Sequence, residues 1–271
     1  MAELGTFEFV TLTAHSRPLL PSRTDLHIVR HLVALEFRVR YSRSVIGWAW
    51  SFLQPISRLV ILSFIFTRAI PLDIDNYAAF LFVGLVSWQW FSSGVSVSTN
   101  SLVGQSGLLS RPGLHLAVLP TVAVLSAALD AFVALLILLV FLMFTSGISA
   151  LVVFLPALIV LQFLMIVGIG ALLCVANVYF RDVRLLVDLV LVLGFYLTPV
   201  FYKYQLLPDE VQQVVALNPM TWMIGAQRAV LIGDDVPSVT TLVVLVVSCF
   251  AVFAAGVVVF HRTSHSVIDE L

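Results

Sequence analysis

The sequence predicts an all-α integral membrane protein with six transmembrane helices, an N-terminal amphipathic interface helix, and two short re-entrant outer-face helices between spans five and six. Three observations lead there. The composition is 61% hydrophobic with mean hydropathy +1.08 and only 11% charged residues, so lipid is the main solvent. The apolar residues come in continuous runs of about 20, the length that crosses roughly 30 Å of hydrocarbon as a helix. Backbone polar groups in hydrocarbon must be satisfied internally, which leaves helices or a closed barrel; unbroken apolar runs argue against the alternation of a barrel strand.

The elements follow in order. Residues 1–24 form a polar tail with Pro18 and Pro21 and no apolar core of signal-peptide type, so insertion is expected to rest on the spans themselves, with a cytoplasmic N-terminus. Ser22 and Asp25 stand at capping-box spacing and open the interface helix, residues 25–43. It places Leu26, Val29, Val33 and Phe37 on one face and is too charged to span. Such a helix lies in the membrane interface, docks on a partner subunit, or does both.

Residues 44–262 are the six-span domain. The first span runs from about Ser44 to Ala69, with Pro55 as a kink, and the second from Tyr77 to Val97. A polar loop, 99–113, follows. Pro120 divides the third apolar stretch and leaves Thr121 to Phe144 to cross. After a tight turn at Ser146-Gly147, the fourth span covers Leu151 to Val178, with Gly168, Gly170 and Cys174 permitting close helix contact. A basic turn at Arg181-Asp182-Val183-Arg184 leads to a fifth span ending near Phe201. In the segment 203–237, Val211–Leu217 and Met220–Ile232 are apolar but too short to cross, and Asn218-Pro219 separates them. The sixth span is Val239 to Phe260, and 263–271 form a polar tail.

Charge fixes the orientation. Thirteen of the 14 basic residues are Arg, and Lys203 is the single Lys. Arg17, Arg23, Arg30, Arg38, Arg40, Arg43, Arg111, Arg181, Arg184 and Arg262 fall in segments of one parity, whereas Lys203, Arg228 and, at a span end, Arg68 occupy the other with Asp73, Asp75, Asp209, Glu210, Asp234 and Asp235. The positive-inside rule therefore puts both termini in the cytoplasm. Cys174 and Cys249 both lie inside spans and are expected to be packing residues rather than a disulfide.

Several chemistries find no support. No Gly-x-x-x-x-Gly-Lys-Ser/Thr phosphate loop is present, so the chain has no ATP cradle of that kind. The six His residues are scattered and suggest no metal site, and no nucleophile elbow occurs. Asp209-Glu210 and Asp234-Asp235 read as solvated loop charges.

The positive signals are ordered segments. They are Tyr41-Ser42-Arg43-Ser44-Val45-Ile46-Gly47-Trp48-Ala49-Trp50 with Gln54-Pro55, then Gly84-Leu85-Val86-Ser87-Trp88-Gln89-Trp90-Phe91. Asn177-Val178-Tyr179-Phe180-Arg181-Asp182-Val183-Arg184, Thr198-Pro199-Val200-Phe201-Tyr202 and Leu217-Asn218-Pro219-Met220 complete the series. Over residues 25 to 262 this succession resembles the membrane (permease) subunit of type-2 ABC exporters of polysaccharides, the O-antigen, capsule, teichoic acid and galactan export family. The resemblance implies a homodimer in a bacterial plasma membrane, with two ATP-binding cassette subunits that bind ATP and Mg, no cofactor in this chain, and no nucleic-acid partner. The cargo would be a glycan on an undecaprenyl-type diphosphate. The 25–41 helix would rest on the ATPase, 99–113 would hold a coupling helix, and 211–232 would form an outer gate.

Site residues follow from chemistry and from that resemblance together. A sliding glycan needs apolar surfaces that stack on sugar faces, for which Trp88, Trp90, Phe91, Phe195, Tyr196, Tyr202 and Trp222 are candidates. Interfacial anchoring is the competing role for such rings. A diphosphate needs cations near the cytoplasmic leaflet, which Arg38, Arg40, Arg43 and Arg58 would supply unless they serve only as positive-inside anchors. Contacts to the ATPase would come from Glu36, Gln105, Arg111, Arg181 and Asp182. Asp130, about ten residues into the third span, must face protein or water, with Arg58 as the candidate partner at its depth. Three rival functions remain at this point: a drug- or lipid-exporting permease of the same superfamily, a membrane-embedded enzyme acting on a polyprenyl lipid, and a non-transporting scaffold.

Overall fold

The computed structural model describes residues 29–34, 50–65, 74–105, 116–145 and 147–270, which are helices and turns with no strand among them. Residues 29–34 are helical, and α1 is Trp50–Phe64. Then come α2 (Tyr77–Thr99), the single turn α3 (Ser101–Gly104), α4 (Val118–Thr145), a 3₁₀ turn (Ala150–Phe154) and α5 (Leu155–Tyr179). After them run α6 (Val183–Leu197), a 3₁₀ turn (Tyr204–Leu206), α7 (Asp209–Ala216), α8 (Pro219–Ile232) and α9 (Val239–Glu270). Among the described residues, four segments are long and apolar enough to cross a membrane: Tyr77–Thr99, Val118–Thr145, Ala150–Tyr179 and Val239–Thr263. The described part of α1 and the whole of α6 have 15 residues each, about 22 Å of rise at 1.5 Å per residue.

The prolines explain several boundaries. Pro120 does not divide the third apolar stretch. It sits in the first turn of α4, where a helix needs no N–H from it, and the helix begins at Val118 instead. Pro156 occupies the same place in α5. Conversely, α6 stops at Leu197, short of Phe201, because Thr198 precedes Pro199 and turns extended. At the far end α9 continues to Glu270, past the expected span end at Phe260.

Helix α2 is the central post. Sixteen of its 23 residues are buried, from Tyr77 to Thr99. It packs on α4 and α5, and α9 packs along α5. The α5–α9 crossing is a direct backbone contact: a Cβ on Gly168 would lie 2.6 Å from the Val252 carbonyl oxygen, and one on Gly256 would lie 2.4 Å from the Gly168 carbonyl oxygen. Without a hydrophobic drive between helices in lipid, small residues that let backbones touch supply the packing energy. At one end of the bundle, Leu102, Leu119, Cys174, Val178 and Phe260 form a satellite cluster on which Leu32 of the 29–34 stretch also packs. There α3, the end of α5 and the Phe260 turn of α9 meet the start of α4.

The short helices between α6 and α9 differ from one another. α7 is amphipathic and buries only Val215, whereas α8 buries ten of its 14 residues. Asn218 caps α8, its side-chain oxygen accepting from the Met220 N–H at 3.0 Å while its Nδ2 donates to Thr198 Oγ1 at 2.8 Å. Thr198 in turn donates to the Gly194 carbonyl at the end of α6. Two of the sequence segments singled out above therefore meet in one joint.

Candidate functional site

A cavity of about 680 Å³ opens between α1, α2 and α6. Its wall combines Trp88, Phe195 and Tyr196 with Ile61, Leu62, Leu191 and Val192. The rings form a connected set. Trp88 stands 5.4 Å from Phe91 and 6.3 Å from Phe195, and Phe195 lies 5.3 Å from Tyr196 and 5.8 Å from Phe201. Phe201 then reaches Tyr202 at 5.0 Å. Gly194 lets Trp88 approach α6, since a Cβ there would sit 3.0 Å from the indole edge. Tyr196 is 61% exposed.

The opposite edge is polar. Gln89, Ser92, Ser93 and Ser96 follow one another at helical spacing along a single face of α2, and Arg58 and Asp188 flank them from α1 and α6. The Arg58 guanidinium donates to Gln89 Oε1. Ser96 Oγ donates to Asp188 Oδ1 at 2.7 Å. These two bonds tie α1 and α6 to the central post.

The seven aromatic candidates separate by environment. Trp88, Phe195 and Tyr196 line the cavity, and Phe91 packs on Trp88 behind them. Trp90 packs instead among Val124, Ala127, Ile166 and Val187, with its indole N–H unpartnered among the described residues. Tyr202 donates to the carbonyls of Tyr196 and Leu197, closing the end of α6, and burial raises its phenol pKa. Trp222 donates to the Ala216 carbonyl at 2.9 Å and stacks on Tyr204 at 5.1 Å, joining α7 to α8. Arg58 lies at the cavity, paired with Gln89; Asp130 is half-buried on α4. Arg181 and Asp182 are exposed in the α5–α6 turn, where Asn177 caps α6 through the Arg184 N–H, and Gln105 follows α3. Glu36, Arg38, Arg40, Arg43 and Arg111 lie outside the described residues.

Sequence reasoning passed over two buried polar groups. Arg228 is 3% exposed and donates to the carbonyls of Phe80 (3.2 Å), Pro199 (2.8 Å) and Val200 (2.6 Å), with its guanidinium 3.4 Å above the Phe80 ring. Burial draws its pKa down to about 9, opposed by Asp234 and Tyr77, so it stays a cation at neutral pH. It ties α8 to the α6–α7 turn. Gly84 makes room for this contact, because a Cβ there would lie 2.7 Å from the Val200 carbonyl. The second group is a fully buried Gln162 on α5. Its Nε2 donates to the Ser87 carbonyl at 2.9 Å, and its Oε1 accepts from Gln227 at 2.7 Å, linking α2, α5 and α8. The available signal was compositional: an Arg inside the apolar 14-residue α8 and a Gln inside the apolar α5 must find internal partners.

The described helices pack around α2 and leave a lateral cleft of rings and hydroxyls between α1, α2 and α6. Residues 28–232 match the family model of the ABC-2 type transporter, and the chain belongs to that family. It is 27% identical over 239 residues to an O-antigen export system permease protein, RfbA, of Klebsiella pneumoniae, covering 87% of this chain and 92% of the relative. It is 30% identical over 229 residues to the RfbA permease of Myxococcus xanthus, covering 83% and 88% of the two chains. A polysialic acid transport protein, KpsM, of Escherichia coli is 24% identical over 208 residues, 74% of this chain and 79% of the relative.

Proposed function

We propose that this chain is the transmembrane subunit of an ATP-driven exporter that carries a lipid-linked polysaccharide out across the bacterial inner membrane. The observation that carries the reading is the ring-lined cleft between α1, α2 and α6, in a chain aligned with O-antigen export permeases over about nine-tenths of their length. Aromatic faces hold sugar rings by apolar contact without fixing their position, which suits a polymer that must slide.

The working unit in this reading is a homodimer with two ATP-binding cassette subunits. α1 and α6 present large apolar side chains beside the cleft, including Ile61, Phe64, Leu189 and Leu193, each more than half exposed. A second copy laid against them would turn an open cleft into an enclosed path; lipid would cover what remains. Six spans are the topology proposed, with α1 extended beyond its described residues, α6 as the short fifth span, and α7 and α8 as a re-entrant outer pair. Both termini then face the cytoplasm. The end bearing Leu32, Gln105, Arg181 and Asp182 would meet the ATPase subunits, and Arg38, Arg40, Arg43 and Arg58 would meet an undecaprenyl-type diphosphate.

Two measurements test this. Deleting the gene should remove the surface polysaccharide while its lipid-linked precursor accumulates inside, and unchanged surface polysaccharide refutes export. The purified chain alone should not turn over ATP, and adding the cassette subunit should give turnover in the complex. Sustained hydrolysis by the chain alone, after removal of contaminating ATPases, refutes the division of labour.

A further inference from the structure

The cleft has two walls of different chemistry, and only the aromatic one is accounted for by a sliding surface. Gln89, Ser92, Ser93 and Ser96 fall at i, i+3, i+4 and i+7, and all four are half-buried against the cavity while most of the rest of α2 is packed in the core. Ser92 donates to the Gln89 carbonyl at 3.2 Å and Ser93 to the Trp90 carbonyl at 3.3 Å, both on their own helix. Neither hydroxyl joins two elements, so neither holds the fold together. Each oxygen can still accept, and both residues line the cleft. Ser96 gives its proton to one oxygen of Asp188, whose second oxygen can accept, and the Gln89 amide nitrogen can donate.

Charge narrows the ligand. Among the described lining residues, one cation, Arg58, and one anion, Asp188, stand at this edge, and those between them are neutral. A diphosphate needs a cationic excess, which Arg58, balanced by Asp188, does not supply among the described lining residues, so a diphosphate contact of Arg58 belongs to the edge of the cleft and not to the α2 face. A carbohydrate needs mixed donors and acceptors on one side and rings on the other, and the cleft supplies both.

We infer that the polar face of α2, centred on Ser92 and Ser93 and flanked by Gln89, Ser96 and Asp188, is a hydrogen-bonding rail for sugar hydroxyls that sets the orientation of the chain against the aromatic wall. The inference rests on the export reading given above and assigns the rail to the glycan rather than to its lipid diphosphate. Sliding stays possible because each serine bond is neutral and weak, so bonds exchange as the chain advances.

The test uses the full-length protein in its own cell, in a strain lacking the chromosomal copy. Ser92→Ala/Ser93→Ala removes the two hydroxyls with no structural duty, and alanine is the better helix former, so folded protein should not fall. Surface glycan is measured per folded molecule. The expected result is export at a fifth or less of wild type, with Ser92→Thr/Ser93→Thr, which keeps both hydroxyls, within twofold of wild type. Wild-type export by the alanine pair overturns the rail, as does an equal loss in the threonine pair, which would point to packing. If the alanine pair does fold poorly, each single alanine is scored by the same ratio, and wild-type ratios for both overturn the rail. A rail that fails leaves the export reading standing; unchanged surface glycan on deleting the gene refutes that reading and the rail with it.

Discussion

Replacing Arg228 tests how the helix α8 is held. Arg228→Met keeps length and apolar contact but removes donors to three carbonyls, at 3.2, 2.8 and 2.6 Å, together with the contact over the Phe80 ring. A hydrogen bond to a charged group nets about 1.5–3 kcal/mol, so three would give roughly 5–9 kcal/mol if nothing opposed them. Relief from burying the cation offsets part of that, while the carbonyls of Pro199 and Val200 are left without their donor. Removing one side of a buried charged arrangement typically costs about 3–5 kcal/mol, and that is the expected loss here. At roughly 2–4 °C per kcal/mol for a chain of this size, Tm of the detergent-solubilised protein should drop on the order of 10 °C. Arg228→Lys, which cannot span all three carbonyls, should fall about halfway. A wild-type Tm for Arg228→Met would refute the claim that this residue joins α8 to the α6–α7 turn.

Other outcomes follow from the same contacts. Gly168→Ala and Gly256→Ala each force α5 and α9 apart at a backbone contact, and each should cost about 1–3 kcal/mol, read as lower Tm and folded yield. Gln162→Leu should destabilise by about 1–3 kcal/mol because it strands Gln227, whereas Gln162→Leu/Gln227→Leu should recover much of that loss. Trp90→Phe removes a buried N–H without a described partner and should leave Tm within about 1 kcal/mol of wild type, unlike Trp222→Phe, which loses its bond to Ala216.

The long helices were legible because membrane length and continuous hydropathy are strong, local signals. Tyr77, Val239 and the 218–219 break were located to within a residue or two on that basis. Pro120 was misplaced because a proline reads the same in the first turn of a helix as in a break, and only the helix start at Val118 decides between them. The burial of α8 was not legible from its length, which suggested a marginal outer segment. Its apolar character on all sides was the available sign that it packs in a core. Among the aromatic candidates, sequence proximity grouped Trp88 with Trp90, yet two residues along a helix turn the side chain by about 200°, and only Trp88 meets the cavity. Arg228, Gln162 and the polar face of α2 depend on partners far along the chain, which no local pattern reveals.

The central claim is that the glycan passes along the cleft between α1, α2 and α6. A photo-crosslinking amino acid placed at Tyr196, on the cleft wall, tests it directly against one at Phe144, 87% exposed near the end of α4 and outside the lining set. Illumination of exporting cells should yield a ladder of glycan-bearing adducts from position 196 and none from position 144. A protein that exports normally with the probe at 196 and yields no adduct there, or equal adducts at both positions, contradicts the account.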